Sequence, residues 1–331
     1  MRKALSFGIL LLALVPAACS DGSRGNTPSV VPAALRSVVP DGTPAPLLYI
    51  ANRDTSAVLE FTQNASGNVR PHFSISGGLT GLDSPLAIAV DATQRVFVAN
   101  DSATEVLRFA AGAHGNVAPT ATISGSKTNF GLIQGLAIDA AGHVWVSTYY
   151  PVQILEFKAN ANGNVAPIHT IAGTNTKLVI PTGMAFDSAG KLYVADSSAN
   201  AVHVFASGAT GNVAPVAEIS GSNTQLDHPF AVSIGHSGKI AVANSYGSSI
   251  TGYAGSANGN VAPIWEIKGA ATGLDYPGGV TFDAADDIFV ADADAKAIFK
   301  FAKNANGNVA PVSTIKGSKS KLNAPFGPAQ L

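Results

Sequence analysis

The sequence predicts an all-β fold, a six-bladed β-propeller with four strands in each blade, and three observations lead to this prediction. The first is a short motif, Gly-Asn-Val, that recurs every 48 residues; its copies start at Gly67, Gly115, Gly163, Gly211, Gly259 and Gly307. A fixed interval of this length is typical of propellers, whose blades repeat one small sheet around a ring.

The second observation is that each 48-residue repeat contains four short apolar segments separated by turn residues. In one repeat these segments cover roughly residues 183–187, 192–195, 201–205 and 216–219. Segments of this length, rich in Val, Ile, Phe and Ala, indicate β-strands. The Gly-Asn-Val motif falls between the third and fourth strands, where Gly permits a positive φ and Asn tolerates one.

The third observation concerns the two ends of the repeat array. A segment of the Tyr-Val-Ala-Asp type occurs six times, from residues 48–52 to residues 288–292, so the chain begins in the middle of a blade. A column of very small residues also occurs six times but ends at the C-terminus: Ala87, Gly135, Gly183, Ala231, Gly279 and Gly327. We therefore expect residues 326–331 to pair beside residues 47–51 and close the ring, which removes an exposed sheet edge.

The first 46 residues differ in composition from the repeats. Arg2 and Lys3 precede an apolar stretch at residues 4–15, and two alanines stand directly before Cys19, the only cysteine of the chain. This arrangement resembles the lipobox of bacterial lipoproteins, in which the cysteine is lipidated, although Pro16 stands where leucine is usual. An ordinary secretion signal is the alternative.

These features divide the chain into a lipoprotein-type signal peptide at residues 1–18, a flexible tether at residues 19–46 and a propeller at residues 47–331. The tether is rich in Pro, Gly and Ser, a composition typical of linkers. We expect a bacterial cell-envelope protein, anchored in the membrane by lipid on Cys19 and facing the periplasm or the outer surface.

The low charge of the chain argues against one class of partner. Only 12% of the residues are charged, and the net charge is −1. Proteins that bind phosphate backbones cluster Lys and Arg on one surface, so a nucleic acid is not expected as a partner. We expect the propeller to be a monomer.

One stretch of the chain resembles a known repeat family. The sequence PTGMAFDSAGKLYVADSSANAVHVF at residues 181–205 is similar to an NHL repeat, and residues 84–109 and 276–301 are similar copies. The resemblance extends over about residues 47–331 and implies a six-bladed propeller. Propellers of this kind include binding proteins, lyases and lactonases, so the resemblance specifies the fold and leaves the function open.

Two kinds of polar residue bear on an enzymatic function. One polar side chain ends the second strand of each repeat and is expected to cap the turn after that strand, with a calcium site as the alternative. The six residues are Asn52, Asn100, Thr148, Asp196, Asn244 and Asp292. Related calcium-dependent lactonases use a Glu at the channel, but no Glu here is expected on an innermost strand. Related lyases use a His, and His228 is the one His expected near the channel mouth.

Ligand recognition is expected where the sequences of the six repeats differ from one another, on the loops that precede the first strand and follow the second. Aromatic residues at loop tips with scattered charges are typical of binding faces, although ordinary loop variation is a second interpretation. The candidate residues are Arg53, Asp101, Tyr149, Tyr150, His228, Phe230, Tyr246 and Tyr276.

We therefore favour a non-enzymatic binding or scaffold propeller without a cofactor, whose partner is a protein, a peptide or a glycan. The alternative is a metal-dependent lactonase or lyase that holds Ca²⁺ and a small substrate in the channel.

Overall fold

Twenty-four β-strands form six four-stranded antiparallel sheets in the computed structural model, which describes residues 47–327. The strands in chain order are β1 Leu47–Asn52, β2 Ala57–Thr62, β3 Phe73–Ser76, β4 Pro85–Val90, β5 Val96–Asn100, β6 Glu105–Phe109, β7 Ala121–Ile123, β8 Ile133–Ile138, β9 Val144–Thr148, β10 Gln153–Phe157, β11 His169–Ile171, β12 Pro181–Phe186, β13 Leu192–Asp196, β14 Ala201–Phe205, β15 Ala217–Ser220, β16 Pro229–Ile234, β17 Ile240–Asn244, β18 Ser249–Tyr253, β19 Trp265–Lys268, β20 Pro277–Phe282, β21 Ile288–Asp292, β22 Ala297–Phe301, β23 Ser313–Lys316 and β24 Pro325–Phe326.

The sheets are the blades of a propeller. Blade 1 has the order β24-β1-β2-β3, and each of blades 2 to 6 consists of four consecutive strands, beginning with β4, β8, β12, β16 and β20. The innermost strands of successive blades contact one another around the ring. The predicted six-bladed fold is confirmed, and the four strands predicted for blade 4 end within two residues of the observed ones.

Helical structure in the described chain is limited to three short 3-10 turns, at Arg53–Thr55, Thr174–Thr176 and Ala270–Thr272. No helix within residues 47–327 has the length and apolarity needed to cross a membrane.

The ring closes through the C-terminal part of the chain. Strand β24 pairs antiparallel with β1, so that Phe326 lies opposite Ala51 and Pro325 lies opposite Asn52. This pairing agrees with the predicted closure, although it begins one residue earlier than expected. Residues 328–331 lie outside the described residues, as do Cys19 and the segments predicted to be a signal peptide and a tether.

The column of very small residues is explained by the close approach of neighbouring innermost strands. A Cβ atom on Gly135 would lie 2.1 Å from the carbonyl oxygen of Thr182, and one on Gly183 would lie 2.8 Å from the Cα of Ala231. Contacts this short exclude any larger side chain. The small residues therefore allow six strands to surround a narrow centre.

The Gly-Asn-Val motif joins the third and fourth strands of its own blade, as predicted, but it also binds the preceding blade. In blade 2, Gly115 has a φ of +74°, which favours glycine. Its N–H donates to the carbonyl of Ser74 (2.6 Å), and its carbonyl accepts from the N–H of Ser76 (3.0 Å). Gly115 thus pairs in parallel with Ile75 on the outer edge of blade 1.

The Asn of the motif completes this contact. The Oδ1 atom of Asn116 accepts a hydrogen bond from the N–H of Leu79 (2.8 Å). The Asn116 side chain fills the space beside Gly77, where a Cβ atom would lie 2.6 Å from its Cγ. Gly77 has a φ of +120°, and its counterparts Gly173 and Gly269 combine such a φ with a ψ near 170°, a region reserved for glycine.

We call this arrangement the Gly-Asn contact, and it occurs six times. In each case the Asn Oδ1 accepts an N–H from the preceding blade, in the pairs Asn68 with Lys319, Asn116 with Leu79, Asn164 with Lys127, Asn212 with Asn175, Asn260 with Asn223, and Asn308 with Ala271. The first of these pairs joins blade 1 to blade 6, so the ring is closed at its outer rim as well as at its centre.

The Gly-Asn contact predicts opposite outcomes for two adjacent glycines. Gly77→Ala forces an alanine into a glycine-only conformation against Asn116, so we expect the free energy of unfolding to fall by about 2 kcal/mol or more. Gly78→Ala is the matched control, because a Cβ atom there meets nothing within 4 Å, and it should change stability by no more than about 0.5 kcal/mol. Denaturant unfolding measures both.

In an Asn116→Ala background, Gly77→Ala should cost less, because the contacts with Cγ and Oδ1 are gone and only the 2.9 Å contact with the Cβ at position 116 and the backbone strain remain. An equal cost in both backgrounds would contradict the contact.

Candidate functional site

The loops that precede each innermost strand and those that join the second and third strands lie at one end of the propeller, which we call the loop face. The six polar side chains that end each second strand lie beneath it, and each is 0% exposed: Asn52, Asn100, Thr148, Asp196, Asn244 and Asp292. Five of them accept hydrogen bonds from backbone N–H groups of the loop before the innermost strand. They act as caps, but of that loop and not mainly of the turn after their own strand, where the cap was expected; Asp196 and Asp292 bind that turn as well.

The amides of Asn52 and Asn100 bind the loop through both of their polar atoms, whereas Nδ2 of Asn244 donates to the hydroxyls of Ser249 and Thr251. In blade 2, Oδ1 of Asn100 accepts the N–H of Asp83 (3.1 Å), and Nδ2 donates to the carbonyl of Gly81 (2.7 Å). The next residue, Ser84, has a φ of +50°. The residues at the same place in the other Asn blades, Ala324 and His228, also have positive φ values, of 49° and 50°.

Where the cap is Asp, the loop has a different conformation. Oδ2 of Asp292 accepts the N–H of Asp275 (2.8 Å), and Oδ1 accepts the N–H of Tyr276 (2.9 Å) and that of Ala295 (2.9 Å). Burial raises the pKa of Asp292 to about 6, although its three N–H partners act in the opposite direction. Asp196 binds its own loop in the same way. In each blade one buried residue thus sets the backbone conformation of the loop, Asn244 at His228 and Asp292 at Tyr276.

Blade 3 departs from both patterns. Thr148 donates to the carbonyl of Pro151 (2.6 Å), and the loop before β8 is held instead by Gln153, whose Nε2 donates to the carbonyl of Asn129 (2.8 Å). The carbonyl of Tyr150 lies directly over Gly131, where a Cβ atom would be 1.4 Å away. The loop that carries Tyr149 and Tyr150 is therefore specific to this blade.

The aromatic candidates form two groups on the loop face. The rings of Tyr149 and Tyr150 are 4.1 Å apart, and their hydroxyls are 3.1 Å apart. In the second group the ring of Tyr246 lies 4.1 Å from the ring of His228 and 5.9 Å from the ring of Tyr276. The contact between Tyr246 and Tyr276 joins blades 5 and 6. Tyr150 and Tyr246 are 64% and 55% exposed, so both groups present rings to solvent.

The charged candidates form pairs on the same face. Arg53 of blade 1 and Asp101 of blade 2 form a half-buried ion pair at 3.0 Å. Burial raises the pKa of Asp101, and the neighbouring Arg53 partly offsets this effect. The Nδ1 atom of His228 lies 3.0 Å from Oδ1 of Asp227. This bond orients the imidazole and leaves Nε2 directed away from the carboxylate.

One candidate belongs elsewhere. Phe230 lies on strand β16 and is 2% exposed, with its ring 6.2 Å from that of Phe326. The strand begins at Pro229, so the chain has already entered the sheet where the sequence analysis placed a loop. Phe230 is therefore a core residue and not part of the loop face.

The sequence analysis missed a polar group at the opposite end of the propeller. A cavity of about 870 Å³ opens there beside blades 3, 4 and 5, and Asp139, Glu156 and His169 are among its lining residues. His143 joins them through Glu156 at 2.7 Å. His143 and His169 are each 13 residues from Glu156, the first in the turn before β9 and the second on β11, so the register of the strands next to β10 would have revealed the group.

Comparisons with known proteins agree on the fold. The family model for the NHL repeat matches residues 178–205. Comparison with curated proteins gave no match. The chain is therefore a six-bladed β-propeller in which residues 178–205 match the NHL repeat.

Among solved structures, the chain is similar to a chain of a nidogen/laminin complex, with a TM-score of 0.59 and 14% identity over 85% of this chain and 96% of that one. It is also similar to a streptogramin B lyase, with a TM-score of 0.58 and 12% identity over 98% and 87%. A Bacteroides caccae protein of unknown function gives a TM-score of 0.59 and 11% identity over 85% and 98%. Identities this low show a shared fold and nothing about activity.

The role of the Asp cap leads to a prediction for blade 6. In Asp292→Asn one acceptor becomes a donor, so either the N–H of Tyr276 loses its partner or Tyr276 turns to a positive φ. We expect the free energy of unfolding to fall by about 1–2 kcal/mol in denaturant titration.

The matched background is Tyr276→Gly, in which glycine adopts a positive φ without strain. There the same Asp292→Asn change should cost measurably less. If the two costs are equal, the side chain at position 292 does not set the loop conformation.

Proposed function

We propose that the protein is a non-enzymatic binding propeller that holds a glycan on its loop face. The observation that carries this proposal is the pair of exposed aromatic groups, around Tyr149 with Tyr150 and around Tyr246, in loops where the repeats differ from one another. Tyrosine offers a large rigid surface at low entropic cost and a hydroxyl for hydrogen bonding.

The carboxylates near Tyr246 favour a glycan over a peptide. A Cβ atom on Gly247 would lie 3.2 Å from the Cβ of Asp227, so this acidic residue borders the loop that carries Tyr246. Asp275 is bound to the same loop, because Ser248 donates to its carbonyl (2.6 Å). Carboxylates accept hydrogen bonds from sugar hydroxyls while a ring stacks on the apolar face of the sugar.

The test is a glycan array followed by calorimetric titration with the best glycan. A triple variant, Tyr149→Ala, Tyr150→Ala and Tyr246→Ala, should weaken binding by about tenfold or more. Its melting temperature should change little, because Tyr150 and Tyr246 are exposed and Tyr149 is half-buried at the surface. Val216→Ala is the control, since Val216 is 57% exposed but lies beside the outermost strand β15.

Unchanged binding by the triple variant, or no bound glycan on the array, would overturn the proposal. If a peptide or a protein binds and its binding requires the same tyrosines, the loop face is the binding site but the partner is not a glycan.

A second candidate function is a lyase or lactonase, and the orientation of His228 by Asp227 favours it. A carboxylate at Nδ1 leaves Nε2 available for proton transfer, the arrangement of a general base. One structural neighbour is a streptogramin B lyase. Turnover of a cyclic lactone, with or without added Ca²⁺, that disappears in His228→Ala would replace the binding proposal with this one.

We also propose that the protein is a monomeric lipoprotein of the bacterial cell envelope. Support comes from the sequence alone, from Arg2, Lys3, the apolar stretch and the small residues before Cys19. The tether would then hold the propeller at a distance from the membrane.

Fractionation of cells that express the wild type or Cys19→Ser tests the anchor. The wild type should sediment with membranes, and the variant should be soluble in the periplasm or the medium. The same distribution for both proteins would rule out lipidation at Cys19.

A further inference from the structure

The polar group at the end opposite the loop face is built from four residues of blade 3. The Nδ1 atom of His143 lies 2.7 Å from Oε1 of Glu156 and 3.4 Å from Oδ2 of Asp139. The Nδ1 atom of His169 lies 2.7 Å from the other oxygen of Glu156. Within residues 47–327, Asp139, His143 and Glu156 are the one set of three such side chains whose ligand atoms all lie within 4.8 Å of one another.

The surrounding structure holds these side chains in place. Oδ1 of Asp139 accepts the N–H groups of Ala141 and His143, both at 2.9 Å, and Oδ2 accepts the indole N–H of Trp145 at 3.0 Å. Glu156 lies on the central strand β10, opposite Trp145 on β9 and His169 on β11. Its side chain is only 6% exposed, so it is fixed by packing as well as by hydrogen bonds.

The geometry suits a small divalent cation. Zinc ligands lie about 2.0–2.1 Å from the metal, so neighbouring ligands of a tetrahedral site are about 3.3 Å apart. The separation of 3.4 Å between His143 and Asp139 matches that value. The separation of 2.7 Å between His143 and Glu156 is about 0.6 Å shorter, so these two side chains would move apart slightly to admit a metal. A mixed set of one imidazole and two carboxylates is a common ligand set for zinc and related first-row metals.

Comparison with the other blades sets blade 3 apart. At the corresponding place, Asp91 of blade 2 pairs with Arg95 (2.6 Å), and Asp283 of blade 6 pairs with Lys300 (3.0 Å). Arginine and lysine remain protonated at neutral pH and offer no lone pair to a metal. In blade 3 His143 stands where blade 2 has Arg95, and Glu156 stands where blade 6 has Lys300. A neutral imidazole and a carboxylate both offer lone pairs to a metal.

The group also faces open space. Asp139, Glu156 and His169 line the cavity of about 870 Å³, beside aromatic and small residues of blades 3 to 5. Of the three candidate ligands, Asp139 and Glu156 line the cavity, so a metal held by the set has a side from which water or an oxygen of a bound molecule reaches a fourth coordination position.

We propose that Asp139, His143 and Glu156 bind a zinc ion, that His169 orients Glu156, and that the fourth position of the metal opens into the cavity. This site lies at the opposite end of the propeller from the loop face and does not depend on the glycan proposal. Trp145 acts as a positioning residue, since its indole N–H fixes the oxygen of Asp139 that faces His143.

The experiment is a titration of the purified, chelator-treated protein with ZnCl₂, followed by calorimetry and by the melting temperature, and repeated with Co²⁺ to record its visible absorption. We expect one zinc ion per chain and a higher melting temperature with zinc. His143→Gln and Glu156→Gln should each weaken zinc binding by about 100-fold or more, and Trp145→Phe by about tenfold.

Two further variants make the outcome independent of folding defects. His169→Ala alters a side chain that is 49% exposed, so it should leave the metal-free melting temperature unchanged and weaken zinc binding by about tenfold. His114→Gln is the control, because His114 is an exposed histidine at the same end of the propeller whose Nδ1 faces the carbonyl of Gly112. It should bind zinc like the wild type.

Wild-type protein that binds no zinc in the micromolar range, or variants that bind it as tightly as the wild type, would overturn the proposal. The group would then be a set of ion pairs like those of blades 2 and 6.

Discussion

The structure of this propeller depends on one constraint, that the outer edge of each four-stranded sheet must be covered. A strand at the edge of a sheet exposes unpaired N–H and C=O groups, and such edges invite association with other chains. Here the Gly-Asn contact of the next blade occupies part of that edge, with one parallel bridge and one side-chain bond per blade. The same contact fixes the angle between neighbouring blades, so edge protection and ring geometry have one cause.

This constraint explains why the repeat is so uniform along part of its length. The motif needs a glycine at positive φ, an Asn whose amide reaches the preceding blade, and a second glycine in that blade with no Cβ. A substitution of one of these residues therefore also disturbs its partner, which lies in a different repeat. By contrast, the loop face and the surface of blade 3 near Glu156 carry no such mutual requirement, and there the repeats diverge.

Much of the fold was predictable because one interval of 48 residues aligns equivalent positions of all six blades. The strands and the split first blade follow from that alignment alone. The role of Asn116 in binding the preceding blade did not follow, because the alignment shows that a residue recurs and not which blade it contacts. The difference between Asn and Asp caps was hidden as well, since it depends on which N–H groups the loop presents.

The candidate sites were predicted less completely than the fold. Tyr149, Tyr150 and Tyr246 lie in loops, as the breaks in the repeat indicated, but Phe230 follows a proline that already belongs to the strand. No Glu was expected on an innermost strand, and Glu156 indeed lies on the third strand of its blade. The side chains that surround it were not predicted from the sequence. His169 is 13 residues later in the chain and becomes its partner only through the register of β10 and β11.

The direction of β1 has a consequence for how the molecule meets its surroundings. This strand is the second of blade 1, and its last residue, Asn52, lies under the loop face. Its six residues span about 20 Å, so Leu47 lies at the other end, on the side of the cavity. The polypeptide therefore enters the propeller from that side. Leu47 and the exposed tyrosines of the loop face are therefore at opposite ends of the propeller.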